Sequence, residues 1–158
     1  MIYIALLKGI NVGGHKKVPM AELRELLTKS GFKNVQTYIQ SGNVILESNE
    51  KNTLKIENSV KKAILDYFGF EVSVLVKTRH DLEYVFHNSL FEEEKKKKSY
   101  FIMLHETPKA ELIKEASKKV YEGEEYQIIN DCAGTNPQLP TAGTYPGRHS
   151  IGPVHAAT

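Results

Sequence analysis

The chain contains no tryptophan, a single cysteine (Cys132) and no apolar run long enough to span a bilayer. One thiol excludes an internal disulfide framework and a clustered thiolate metal site. Met1-Ile2-Tyr3 enters a strand-like run with no basic leader, so no signal peptide is expected. A dominant charge is also missing: 21 basic and 19 acidic residues leave a formal +2. That balance does not by itself announce nucleic acid or a membrane surface. These absences lead us to expect a soluble, cytoplasmic protein with no membrane partner. Present instead is an ordinary globular composition, 41% hydrophobic and 25% charged over 158 residues. Such a chain makes one domain or two small ones and buries roughly two-thirds of its unfolded surface without staples.

Hydrophobic periodicity divides the first half into alternating elements. Ile2 to Leu7 is a continuous apolar run, the mark of a mid-sheet strand. After a loop over Gly9 to Lys17, Pro19 suits a first helical turn, Met20, Leu23, Leu26 and Leu27 recur at helical spacing, and Gly31 suits a C-terminal cap. Val35, Thr37 and Ile39 alternate with polar partners, Ser41-Gly42-Asn43 reads as a short hairpin turn, and Val44 to Glu47 returns as the partner strand. A helix is expected near Asn52 to Phe68, closed by Gly69, and Val72, Val74 and Val76 mark a further strand. This β-α-β-β-α-β order predicts an α+β, ferredoxin-like split βαβ unit over residues 1–77. Its sheet would be antiparallel, in the order 4-1-3-2, with both helices on one face.

A second, incomplete αβαβ unit is expected over 78–132. Thr78 and Asp81 have capping-box spacing for a helix carrying Leu82, Val85, Phe86 and Leu90. The block Glu92 to Lys98 is nearly self-neutralising and reads as a solvated connection. Tyr100 to Leu104 is a strand, Thr107-Pro108 opens a helix, and Tyr126 to Ile129 is a last strand that leaves a pairing edge. Residues 133–158 hold four of the six prolines and four of the eleven glycines, with no acid or lysine. They are expected to form a flexible or non-native tail.

The topology carries the functional expectation. The first two strands run parallel, so the loop over Gly9 to Lys17 and the turn Ser41-Gly42-Asn43 leave the sheet at the same edge. Lys8, Asn11, Gly13, Gly14, His15, Lys16, Lys17, Gln40, Ser41 and Asn43 would converge there, nearly all donors or cations, with no acid among them. Such a set suits a small anion: phosphate, nucleotide or carboxylate. Gly9 and Gly14 have the spacing of a phosphate loop, but His15-Lys16 stands where Lys-Ser/Thr belongs, which excludes a nucleoside triphosphatase. His15 is the best acid–base candidate by its ordinary pKa, yet neither segment offers a carboxylate to orient it. No complete catalytic set is visible, no metal site is expected, and no cofactor can be named. Nucleic acid is a lesser alternative, because aromatics are sparse on the central strands. Self-association or protein binding through the edge near 126–129 is another.

Three runs carry a family resemblance: Ile4 to His15 (IALLKGINVGGH), Val18 to Leu23 (VPMAEL) and Tyr38 to Val44 (YIQSGNV). They resemble the bacterial family catalogued as domain of unknown function 1697, and the likeness extends more loosely to about Cys132. The resemblance implies a pair of ferredoxin-like α+β units and an unassigned activity. Members of that family continue beyond the strand near Tyr126 with further strand and helix, which the ending from Ala133 does not resemble.

Overall fold

The apolar run at the start forms β1 (Ile2–Lys8), and its burial alternates only at the ends: Ala5, Leu6 and Leu7 are all buried. That is the pattern of a central strand. The remaining elements of the first unit are α1 (Met20–Lys29), β2 (Lys33–Tyr38), β3 (Asn43–Glu47), α2 (Thr53–Phe68) and β4 (Ser73–Thr78). Then come α3 (Arg79–Asn88), α4 (Glu93–Lys96), β5 (Tyr100–Met103), α5 (Ala110–Ala116), β6 (Glu124–Ile129), β7 (Cys132–Pro137) and β8 (His149–Ile151). This computed structural model describes residues 1–38, 42–118, 124–129, 131–137 and 149–151. Two compact units result, Met1–Leu82 and Glu83–Thr158.

In the first unit the sheet order is β2-β3-β1-β4, antiparallel throughout. It is the mixed α+β, ferredoxin-like arrangement expected from the element order. Tyr3, Ala5 and Leu7 of β1, Val44 and Leu46 of β3, and Val74 and Val76 of β4 face one way. They pack with Leu23 and Leu27 of α1 and Ile56, Val60 and Ile64 of α2 in a single buried cluster. Both helices therefore cover the same face. Their ends are set locally. Asn52 accepts the Lys55 amide at 3.2 Å and opens α2, while Gly69 closes it in the left-handed region. After α1, the Gly31 amide donates to the Thr28 carbonyl and the Phe32 amide to the Leu27 carbonyl, a Schellman closure. Leu27 and Phe32 are both core residues. Pro19 stands just before α1 rather than within its first turn.

Thr78 and Asp81 form the reciprocal capping box their spacing predicts. The Thr78 amide donates to the Asp81 carboxylate at 2.8 Å, and the Asp81 amide donates to Thr78 Oγ1 at 3.2 Å. Beyond this point the second unit departs from expectation. The block from Glu92 to Lys98 is not merely solvated. It contains the short α4, whose Lys96 is buried, bonded to Glu93 Oε1 at 2.9 Å and lying 5.4 Å from the Phe86 ring centre. Helix α5 begins at Ala110, with Lys109 rather than Thr107 at its N-cap position. Leu90 follows α3 and is exposed instead of lying on its apolar face.

The largest difference concerns the ending. Within the expected tail, residues 133–137 of β7 pair with both β5 and β6, and β8 pairs with β5, while 138–148 and 152–158 lie outside the described residues. The second sheet is thus four-stranded, in the order β6-β7-β5-β8. Among the described residues, the second unit holds two strands beyond the expected αβαβ order. Ladder pairing satisfies the backbone of a segment whose side chains carry little periodicity. Gly134 also leaves room for Phe91 and Phe101, which a Cβ would meet at 3.4 and 3.5 Å. Among the described residues, no helix is long and apolar enough to cross a membrane.

Candidate functional site

The loop from Gly9 to Pro19 is built around two apolar anchors. Ile10 and Val18 are buried in the core cluster, while residues 12–17 between them are exposed. Asn11 ties the two ends together. Its Nδ2 donates to the Val18 carbonyl at 3.0 Å and its Oδ1 accepts the Val18 amide at 2.8 Å. The Asn11 amide donates to the Lys16 carbonyl at 3.1 Å and the His15 amide to the Val12 carbonyl at 3.0 Å. Val12 and His15 form an antiparallel bridge, with Gly13 and Gly14 at φ 58° and 78° between them. Two successive positive φ angles are what a type I′ hairpin turn demands, which accounts for the glycine pair. The loop is a small hairpin standing on the exit of β1.

The second sequence-predicted segment adjoins the first. The Leu7 amide donates to the Gly42 carbonyl at 2.9 Å, and Asn43 stands opposite Leu6. Gly42 is held at φ 83°. A Cβ there would lie 2.9 Å from both Leu7 Cβ and Ile10 Cδ1, so no larger residue fits. Gln40 and Ser41 lie outside the described residues, and Asn43 is half-buried at the start of β3.

The donors within this region divide into two sets. Asn11 uses both ends of its side-chain amide on Val18. Lys16 reaches the approach to β4. Its Nζ donates to the Glu71 carbonyl at 2.7 Å and lies 5.9 Å from the Phe70 ring centre. Asn11 and Lys16 are therefore framework residues of the loop. His15 and Lys17 are exposed, and among the described residues neither side chain has a hydrogen-bonding partner. Lys8 is half-buried at the end of β1. Sequence reasoning missed Ile10 and Val18 as anchors, although both flank the polar stretch as isolated apolar residues. It also missed the Glu71 carbonyl, a backbone group for which side-chain chemistry gives no signal. Among the described residues, no group of three His, Cys, Asp or Glu side chains is gathered as a metal site would require.

An open cleft of about 420 Å³ lies elsewhere in the first unit, lined by Ser30, Ser48, Glu50, Lys55, Asn58 and Ser59 among others. Several of its polar groups are engaged locally. Ser48 Oγ accepts the Glu50 amide, Ser59 Oγ donates to the Lys55 carbonyl, and Glu50 pairs with Lys55 at 3.6 Å. The Asn52 amide bonded to Glu50 holds that carboxyl below its ordinary value, and the Lys55 charge adds to the effect.

Comparison with known proteins gives a family and a fold. The family described as "Protein of unknown function (DUF1697)" matches residues 1–133. The solved structure of a conserved bacterial protein from Streptococcus pneumoniae is similar, with a TM-score of 0.69 and 23% identity. The match covers 88% of this chain and 78% of that one, and at this identity it speaks for the fold alone. No curated protein matches the chain.

Proposed function

The chain belongs to this family of unknown function, and we propose that its first unit recognises a small anion, a phosphate, nucleotide or carboxylate, at the exit of β1. The observation that carries this reading is the prebuilt loop. Residues 12–17 are exposed, hold no acidic residue, and are fixed at both ends by Ile10, Val18 and the Asn11 clamp. Rigid, polar loops on a packed scaffold are where recognition residues concentrate. Holding the loop in advance removes an ordering penalty from binding. His15 and Lys17 supply the contacts, with Lys8, Asn43 and the Gly13 and Gly14 amides beside them. Asn11 and Lys16 hold the frame, and Gln40 and Ser41 complete the set expected from sequence.

Thermal unfolding with inorganic phosphate, pyrophosphate, a nucleoside monophosphate and a dicarboxylate tests the reading. A ligand at a hundredfold excess over its Kd stabilises the folded state by about 2.7 kcal/mol. At least one anion is expected to raise the midpoint in a salt-sensitive way, and H15A/K17A is expected to abolish the rise. If no anion in the set moves the midpoint, or the double variant responds as the parent does, the proposal fails.

A second reading has one observation in its favour: β6 lies at the edge of its sheet. Edge strands offer unpaired backbone groups to another chain. Light scattering that finds only monomer at every concentration would exclude self-pairing through β6.

A further inference from the structure

The two edge strands of the first sheet are β2 and β4, and the backbone of β4 is already partly occupied from outside the sheet. In an antiparallel ladder, alternate residues direct their backbone groups toward the partner strand and away from it. The Val76 amide does not go to β1. It donates to Glu57 Oε1 of α2 at 2.9 Å. Val76 stands opposite Ala5, so the residues two positions away, Val74 and Thr78, share its outward orientation. The Thr78 amide is occupied as well, by the Asp81 carboxylate at 2.8 Å. Two of the three outward amides of β4 thus end on carboxylates rather than on open edge. The opposite parity agrees, since the Leu7 amide of β1 points away from β4, to the Gly42 carbonyl.

Glu57 is unusual among the described acids. Its side chain is 6% exposed, although it lies on a helix whose other buried residues are Ile56, Val60 and Ile64. Its second oxygen lies 4.0 Å from Lys61 Nζ, at the limit of an ion pair. A carboxylate so placed meets a large desolvation penalty that a hydrocarbon would not. The bond to the Val76 amide gives this burial a use, because that amide is one a second strand would need.

We propose that Glu57, together with Asp81, seals the β4 edge against strand addition by a second copy of this chain. The seal is made of side-chain acceptors, so it closes the edge without adding a strand. The inference does not depend on the anion reading, and its test involves no ligand.

Amide hydrogen exchange and light scattering on the full chain test it together. In the unmodified protein, the Val76 amide is expected to be protected as strongly as those of Leu75 and Lys77, which face β1. E57Q keeps an acceptor oxygen and should leave both exchange and mass unchanged. E57M keeps the volume but removes the acceptor. It should speed Val76 exchange at least tenfold at low concentration and raise the mass toward twofold as concentration increases. An unprotected Val76 amide in the parent chain overturns the proposal, as does a folded E57M with parental exchange and mass. Should E57M fail to fold, the parental Val76 protection and the E57Q result decide the matter.

Discussion

The first and second units solve the same problem, ending helices and pairing strands, by different means. In the first, three of the helix ends carry their own device, with Asn52 and Gly69 on α2 and the Schellman closure after α1, and the Thr78–Asp81 box opens α3, while the start of α1 at Pro19 has no side-chain cap. In the second, α4 and α5 have no side-chain cap at their N-termini, and α5 buries no residue. What organises that unit is long-range: β7 joins β5 to β6, and Gln127 on β6 bonds to Ser89 Oγ and to the Leu90 amide. Local devices make an element insensitive to its surroundings, whereas strand pairing distributes the same stabilisation over distant residues. The second unit should therefore respond weakly to single local changes and the first strongly.

The sharpest contrast is between two glycines. Gly42→Ala places a methyl group 2.9 Å from Leu7 and Ile10 atoms, on a residue held at φ 83°. Overpacking and left-handed strain together should destabilise the fold by about 3 kcal/mol. Gly134→Ala meets Phe91, Gln127 and Phe101 only at ordinary contact distances of 3.4–3.5 Å. It should change stability by less than about 1 kcal/mol. Urea unfolding midpoints compare the two, and equal losses would remove the distinction between the units.

Asn11→Ala tests the loop frame. It strips two hydrogen bonds from Val18, a residue only 1% exposed, and leaves an alanine at φ 55°. A loss of about 2–3 kcal/mol is expected from the same unfolding experiment. A near-neutral result would mean that Ile10 and Val18 alone hold the loop.

Lys109→Ser probes the reverse case, giving α5 the cap it lacks. A gain of about 0.5–1 kcal/mol is expected, seen as slower amide exchange in the first turn of that helix. No gain would show that strand pairing already fixes the start of α5.

The smallest effect is electrostatic. The hydrogen bond from Lys96 holds the Glu93 carboxyl below its ordinary value. The Lys96 charge adds to this, those of His87 and Lys97 contribute less, and burial opposes them. A carboxyl depressed in the folded state adds stability above its unfolded pKa and loses it as pH falls through the folded one. Glu93→Gln should therefore melt lower than the parent at neutral pH. The gap should close as pH is taken down through and below the ordinary carboxylate range. A gap that stays constant with pH would assign the effect to packing of Lys96.

Legibility in the sequence follows the same division. Periodicity, Asn52, Gly69 and the Thr78–Asp81 spacing are local signals, and the helices and strands they mark lie where expected. The order β2-β3-β1-β4 was legible because a right-handed crossover leaves few arrangements for a split βαβ unit. The strands β7 and β8 were not, because their order comes from partners rather than from their own alternation. In the loop, the positions of His15, Lys16 and Lys17 could be read as one basic exposed stretch. Their separation into a frame residue tied to Glu71 and two exposed groups could not.

The sequence by itself determined the first sheet, the helix ends within it and the polar character of the loop after β1. Each of these depends on spacing along the chain and on intrinsic backbone preference. Only the tertiary structure decided which donors turn inward, how Glu57 meets the outer edge of β4, and that residues 133–137 join a sheet. Those outcomes require a hydrogen-bonding group of one element to meet the backbone of another. No feature of the local sequence records which distant peptide will arrive.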